Sequence, residues 1–171
     1  MSITPADELR DATAAEMRAL AHPLRLRILR LTLDEALTNK QLADRLGQDP
    51  GTVLHHVRTL VRSGFLAATP VREGRRGALE RPYRSTGKSW QVRMLPSSDH
   101  TASVLEAVRD ELLEGGQEAT LSLVRLGVRL RPEDIDDLRA RLQAIGEEFV
   151  LRDDPDGDPV GILTLAHRRR P

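Results

Sequence analysis

Hydrophobic residues in the first part of the chain recur at three- and four-residue intervals, which is the spacing of helices with one buried side. The pattern predicts helices from about residue 12 to 20 and from 23 to 33, with His22-Pro23 between them. Two shorter helices follow, joined by a tight turn. Beyond them, a strand is predicted at 65–71 and its partner strand at 82–85.

The ends of the two joined helices are marked by capping residues. Thr38 and Gln41 have the spacing of a capping box, so they begin the first helix, and Gly47 ends it. Asp49 is a good N-cap, and Pro50 suits the first position of a second helix. The apolar residues of this second helix have helical spacing and are expected to face the core: Val53, Val57, Leu60 and Val61. Its other face is polar and basic.

The second half of the chain predicts alternating helices and strands. A helix is expected from Ser98 or Asp99 to about residue 114, and a strand at 121–130, where apolar residues alternate. A helix opened by Pro132 follows, and then a strand at 160–165 that we expect to pair with the first. The apolar residues of the last helix form one narrow seam: Ile135, Leu138, Leu142, Ile145 and Phe149.

Charge is distributed unevenly, although the formal net charge is zero. Residues 1–90 hold fifteen Lys or Arg against ten Asp or Glu, whereas residues 91–171 hold eleven against sixteen. A basic surface neutralises phosphates and releases counterions, and an acidic one is repelled by DNA. The alternative is chance scatter over the surface. The excess coincides with the two joined helices and the hairpin after them, which favours a nucleic-acid partner.

The hairpin expected between the strands at 65–71 and 82–85 is also basic. Its glycines allow tight backbone geometry, and its arginines could reach phosphates or the minor groove of DNA. The alternative is an ordinary solvated turn. The four arginines of this segment are Arg72, Arg75, Arg76 and Arg81.

Composition excludes several classes of protein. Cysteine is absent, so disulfides, thiolate metal sites and cysteine-based redox sensing are excluded. No apolar run approaches the ~20 residues that a membrane span needs, and the acidic first twenty residues do not resemble a signal peptide. We therefore expect a cytoplasmic protein that does not contact a membrane.

Neither a metal ion nor another cofactor is expected. Asp99-His100 could begin a ligand set at the start of a helix, but no second His follows on that helix. The acidic turn at 153–158 lacks the twelve-residue loop and the terminal Glu of a calcium site. Motifs for enzymes are also missing, since the chain has no GxSxG, phosphate loop, HExxH or dinucleotide glycine pattern. We do not expect an enzyme.

Three stretches follow one another along the chain: MRALAHPLRLRIL at 17–29, LADRL at 42–46 and TVLHHVRTLVRSGFL at 52–66. Together they resemble the ArsR-type winged helix-turn-helix repressors, and the resemblance covers about 14–90. The chain departs from the family at Leu54, where these repressors usually carry a serine. A leucine there could touch a thymine methyl group. The resemblance implies a homodimer, and we expect residues 12–20 and 99–114 to build its interface.

These observations lead to one overall prediction. The fold is mainly α with small β: a winged helix-turn-helix DNA-binding domain at 1–90, then a small helix-strand-helix-strand region at 91–171 for dimerisation and, as an open alternative, effector binding. The expected function is transcription regulation, as a repressor bound to an inverted repeat of double-stranded DNA. The residues expected to contact DNA are Gln48, Gly51, Thr52, Leu54, His55, His56, Arg58, Thr59, Arg72, Arg75, Arg76 and Arg81.

Two other functions remain open at this stage. Some winged helices contact proteins rather than DNA, and such a domain would not need basic residues on its wing and second helix. The second half could also bind an unknown small molecule between its helices and strands, which would make the protein a sensor.

Overall fold

A computed structural model describes residues 10–74, 77–95, 97–154 and 156–168. The chain divides into two compact units. The first contains the described residues up to Leu121, and the second contains those from Ser122 onwards. Each unit is described separately.

Short helices and strands alternate in the first unit. In chain order, its described elements are β1 (Arg10–Asp11), α1 (Ala14–Leu20), α2 (Pro23–Asp34), β2 (Leu37–Thr38), α3 (Asn39–Leu46), α4 (Pro50–Arg62), β3 (Leu66–Ala68), β4 (Arg72–Glu73), β5 (Leu79–Glu80), β6 (Pro82–Ser85), β7 (Val92–Arg93) and α5 (Ser98–Gly115). The helices predicted from hydrophobic spacing are confirmed, with ends that differ by no more than two residues.

Local capping explains where α3 and α4 begin and end. The Thr38 hydroxyl accepts the Gln41 N–H, and the Gln41 side chain accepts the Thr38 N–H, so the predicted capping box is formed. Gly47 ends α3 with φ +60°, a backbone conformation that favours glycine. The Asp49 carboxylate caps α4, with Pro50 in the first turn as predicted. The residues at these helix ends therefore determine the turn between α3 and α4.

The described strands form three small groups. β2, β6 and β3 form an antiparallel sheet in that order, and β4 pairs with β5 in an antiparallel hairpin. β1 pairs in parallel with β7. The predicted strand at 65–71 is shorter than expected, because β3 ends at Ala68 and the chain enters the separate hairpin at Arg72. The two-residue strands β1, β2 and β7 are too short to show an alternating pattern, so sequence did not predict them.

One hydrophobic core holds these elements together. It joins α1 and α2 to the buried sides of α3 and α4 and to the start of β3. The side chains with almost no exposed surface include Ile28, Leu37, Leu42, Val53, Val57, Leu60, Phe65 and Leu66. Val61 was expected in this core but is 38% exposed, because it lies at the edge of the buried stripe of α4. The core fixes the side of α4 that faces outward.

Helix α5 packs on α1 and α2 and is part of the same unit. Ser103 and Ala107 are buried on the inner side of α5. The guanidinium of Arg27 pairs with Glu114 and lies 3.7 Å from Asp110, and it is only 10% exposed. The functional division of the chain into 1–90 and 91–171 stays a prediction.

Among its described residues, the second unit contains one helix, α6 (Pro132–Val150), between irregular segments. The strands predicted at 121–130 and 160–165 are not formed, and this part of the prediction was wrong. Alternation of apolar residues indicates a segment suited to a sheet, but a strand also needs a neighbour to pair with, and neither segment has one here.

In both units, no described helix is long and apolar enough to cross a membrane.

Candidate nucleic-acid interface

The outward side of α4 presents polar groups in a fixed position. The apolar side of the helix is buried through Val53, Val57 and Leu60, so the opposite side must face solvent. Five of the predicted contact residues on this side and in the preceding turn are exposed: Gln48, Gly51, Thr52, His55 and Arg58. The side chains of Gln48, Thr52 and Arg58 make no hydrogen bond to any described residue, so their donors and acceptors are free for a partner.

The start of α4 is held rigidly in place. One Asp49 carboxylate oxygen accepts the N–H groups of Gly51 and Thr52, at 2.8 and 3.0 Å. The Asn39 side chain on α3 donates to the Pro50 carbonyl at 2.9 Å, which ties the two helices together across the turn. These bonds order the first turn of α4 before any partner arrives, so binding requires little further ordering.

Two predicted residues of α4 are only partly available. Leu54 is half-buried, and Thr59 carries a hydroxyl that donates to the His55 carbonyl at 3.0 Å. The Arg62 guanidinium also reaches the Thr59 hydroxyl, at 3.4 Å. Leu54 can still offer its exposed part for apolar contact, whereas Thr59 is better placed to stabilise the helix than to bind a partner.

His56 was predicted at the DNA surface, and the structure corrects this. It is only 8% exposed, with its ring centroid 4.4 Å from that of His22. Its Nδ1 faces a guanidinium nitrogen of Arg25 at 3.4 Å, and because arginine can only donate, the imidazole must accept. Burial, together with the nearby His22, Arg25 and His55, lowers the pKa of His56 to about 4. His56 therefore belongs to the core as a neutral side chain.

The sequence analysis missed Arg25, which links α1 to α4. Its guanidinium donates to the carbonyls of Arg18 and Ala19 at the end of α1, and its other end meets His56. Those carbonyls lack partners inside the helix, so the guanidinium serves as a C-cap. A signal was available for His56, because it stands three residues after Val53 and four before Leu60, on the buried side of α4.

The hairpin β4–β5 is the wing of the fold. Arg72 and Arg81 are exposed, while Arg75 and Arg76 lie outside the described residues. The Arg72 guanidinium meets Glu80 on the opposite strand at 3.4 Å and the Gln41 side chain of α3 at 3.3 Å. These weak, exposed contacts orient Arg72 between the wing and the helix-turn-helix.

The described residues form neither a cluster of metal ligands nor a mainly apolar pocket. In the described parts of the chain, no three His, Asp or Glu side chains come together as a metal site requires. The His100 imidazole instead faces the Leu20 carbonyl at 3.3 Å and links α5 to α1. An open cleft of about 280 Å³ is lined by Arg10, Gly64, Thr86, Lys88, Gln91 and Val92, and this mixed lining is more polar than that of most small-molecule sites.

Comparison with known proteins identifies the class of domain. Residues 20–67, from the end of α1 to β3, match the family model described as a helix-turn-helix domain. The match agrees with the geometry of α3 and α4, and the hairpin that follows completes the winged helix-turn-helix fold that the sequence predicted. No curated protein matches the chain.

Several solved structures have a similar arrangement. HlyU from Vibrio cholerae, in its reduced form, is 21% identical, with 53% of this chain and 80% of that one covered and a TM-score of 0.36. The fragment of Mb0332 from Mycobacterium bovis is 25% identical, with 58% of this chain and 80% of that one covered and a TM-score of 0.36. That fragment is described as a homodimeric winged helix-turn-helix DNA-binding domain. A ZitR mutant from Lactococcus lactis is 20% identical, with 74% of this chain and 73% of that one covered and a TM-score of 0.36. The assignment rests on the family model and on the geometry above.

Proposed function

We propose that this protein is a DNA-binding transcription regulator of the ArsR-like type, which binds an inverted repeat as a homodimer and acts as a repressor. The observation that carries the proposal is the outward side of α4. It offers unengaged polar side chains on a helix whose first turn is already ordered, within a helix-turn-helix domain.

The first half of α4 would enter the major groove. A groove about 12 Å wide accepts one helix, and the N-terminal residues of a recognition helix reach the base edges. Thr52 and His55 carry groups that can donate and accept hydrogen bonds, so we assign them to base edges, with Gln48 and Gly51 beside them. Arg58 is exposed further along the helix and is assigned to a phosphate.

The wing would contribute affinity rather than sequence preference. Arg72 and Arg81 are exposed, and Arg75 and Arg76 stand between β4 and β5 in the sequence. Arginines on a hairpin bind phosphates or a narrow minor groove without selecting bases strongly. This division of roles follows the separation between the polar side of α4 and the basic wing.

A second copy is part of the proposal, because one recognition helix reads too few bases for specific binding. The outer side of α5 supports this role. Leu105 and Leu112 are 43% and 42% exposed, and Val108 between them is half-buried, whereas the inner side of α5 is covered by α1 and α2. Contact between the α5 helices of two copies, with α1 beside them, would bury these side chains.

Repression follows if the bound dimer covers a promoter. In that case a signal, which this chain does not identify, would act by lowering DNA affinity. The alternative of a protein-contact module predicts no enrichment of any DNA sequence. We also propose that the protein is cytoplasmic.

Selection of bound duplexes from random DNA tests this function. We expect enrichment of an inverted repeat whose half-site centres lie about one helical turn, ~34 Å, apart. The matched control is a variant with Thr52, His55 and Arg58 all changed to alanine, which should enrich nothing although these exposed side chains contribute little to folding. Recovery of an asymmetric site by a monomer would contradict the dimer, and recovery of random sequence by the native chain would contradict sequence-specific binding.

A further inference from the structure

Helix α6 carries an apolar seam that the described residues of its own unit leave partly exposed. The five seam residues follow each other by three, four, three and four positions: Ile135, Leu138, Leu142, Ile145 and Phe149. No side chain of α6 is buried, and Ile145 and Phe149 are 44% and 48% exposed. A regular series of exposed apolar side chains on a helix indicates a missing partner.

The width of the seam distinguishes between possible partners. A helix that lies on a sheet or in a globular core needs a broad apolar face, with apolar residues also beside the a and d positions of a heptad repeat. In α6 those flanking positions are charged or lack a side chain: Asp134, Arg139, Arg141, Gly146 and Glu148. A strict two-position seam with charged flanks is the pattern of helix-on-helix pairing in coiled coils.

We infer that α6 pairs in parallel, and in register, with α6 of a second copy of this chain, forming a short two-stranded coiled coil. Ile135, Leu142 and Phe149 take the a positions of the heptad repeat, and Leu138 and Ile145 take the d positions. In a parallel pair, the residue just before each a position faces the residue five positions later on the other helix. Asp134 of one copy then faces Arg139 of the other, twice in the dimer, and Arg141 faces Gly146. No like charges meet at these positions.

The antiparallel arrangement fits less well, because it packs a positions against d positions and can match only four of the five seam residues. In the register that aligns Ile135 with Ile145 of the other copy, it would also bring Asp134 beside Glu148 and Arg141 beside its own equivalent, so like charges would meet. Within one helix, Arg139 pairs with Asp136 at 3.6 Å and Arg141 with Asp137 at 2.9 Å. These pairs are exposed and weak, so they do not prevent Arg139 from contacting the other copy.

The contact between two α6 helices is too small to hold a dimer together without a second interface. Two and a half heptads bury less surface than the ~1,200–2,000 Å² of a stable interface. The inference therefore rests on the proposed function, in which α5 already holds two copies together. Tethering raises the effective concentration of one α6 near the other to the millimolar range or above.

Engineered cysteines can test the pairing directly, because the native chain contains none. In the full-length Leu142→Cys variant, the two thiols would lie on the same layer, and mild oxidation should convert most of the protein to a covalent dimer. Ala140→Cys is the matched control, since Ala140 is on the side of α6 opposite the seam. It should stay monomeric on a non-reducing gel.

A second pair of variants measures the energy of the contact. Ile145→Asp should raise the dimer dissociation constant in sedimentation experiments at least tenfold, whereas Ala140→Asp, which adds the same charge outside the seam, should leave it unchanged. Equal cross-linking of the two cysteine variants would overturn the inference. So would a Leu142→Cys thiol that neither cross-links nor reacts with thiol reagents, because the seam would then be covered by the chain's own segments.

The outcome separates this inference from the proposed function. If Leu142→Cys does not cross-link while the native protein still binds an inverted repeat as a dimer, only the pairing of α6 is wrong. If the native protein binds DNA as a monomer, the proposed dimer is wrong whatever the cysteine variants show.

Discussion

Glu16 offers a sharp test of how the first unit is held together. Its carboxylate is only 8% exposed and accepts two bonds from the Arg10 guanidinium, at 2.6 and 2.9 Å, one contact from Lys88 at 2.7 Å and the Thr13 N–H at 2.8 Å. These partners join β1, α1 and the segment after the wing. Glu16→Gln removes the charge, keeps the shape and leaves one oxygen for the Thr13 N–H.

The expected decrease in stability follows from the exposure of the partners. Removing one member of a fully buried ion pair costs ~3–5 kcal/mol, because the other charge stays buried without a partner. Here Arg10 is 53% exposed and Lys88 is 26% exposed, so both can be hydrated again. We therefore expect Glu16→Gln to lower the free energy of unfolding by ~2–3 kcal/mol, less than for a fully buried pair. At roughly 4 °C per kcal/mol, Tm should fall by ~8–12 °C.

Urea denaturation followed by circular dichroism measures this decrease. The matched control is Glu35→Gln, because Glu35 pairs with Arg45 at the surface, where both side chains are about half exposed. That change should cost less than ~1 kcal/mol. If the two variants are destabilised equally, Glu16 does not organise the fold and the reasoning is refuted.

Acid provides an independent check on the same residue. Its hydrogen bonds to Arg10 and Lys88 hold the pKa of Glu16 well below its usual range. A carboxyl whose pKa is lowered by folding stabilises the protein above its unfolded pKa of ~4.3, and this contribution disappears as pH falls toward the folded pKa. The difference in stability between the native chain and Glu16→Gln should therefore shrink below about pH 4. A difference that is constant with pH would contradict the ion pairing.

Three further predictions concern the wing, metals and glycines. Changing Arg75 and Arg76 to alanine should weaken binding to cognate and random DNA alike. The slope of log affinity against log salt concentration should become shallower by ~1 for each phosphate that a subunit no longer binds. An unchanged slope on both DNAs would favour the protein-contact alternative. Zinc and chelators should leave DNA affinity unchanged, and a tenfold change, ~1.4 kcal/mol, would reveal an unrecognised metal site. Gly47→Ala should lower the free energy of unfolding by ~1 kcal/mol, because the φ of Gly47 is +60°. Gly146→Ala should instead raise the helix content, because Gly146 lies inside α6 with open space around it. Equal effects of the two substitutions would contradict this reasoning.

Local chemistry made much of the first unit predictable from sequence. The capping box at Thr38 and Gln41, the stop at Gly47 and the N-cap at Asp49 depend on residues within a few positions of each other, and all were found as predicted. For the same reason, the exposed side of α4 could be assigned from spacing alone. His56 was the error, because its polar type was given more weight than its position among the buried residues.

Interactions between distant parts of the chain could not be predicted. Arg25 meets His56 from 31 positions away, and β1 pairs with β7 from far along the first unit. Neither leaves a periodic signal in the sequence. The strands expected at 121–130 and 160–165 show the opposite problem, because alternation was present without a pairing strand. Periodicity describes the surface that a segment could bury, and the rest of the chain decides whether it is buried.

The central claim, that the outward side of α4 reads DNA bases, is tested most directly by His55→Ala and Thr52→Ala. Their affinities should be compared with that of the native chain on the selected operator and on random DNA at one salt concentration. The account predicts a decrease in binding free energy of ~1–3 kcal/mol on the operator for each variant, relaxed preference at one position of each half-site, and little change on random DNA. Equal decreases on both DNAs, or none on the operator, would contradict it.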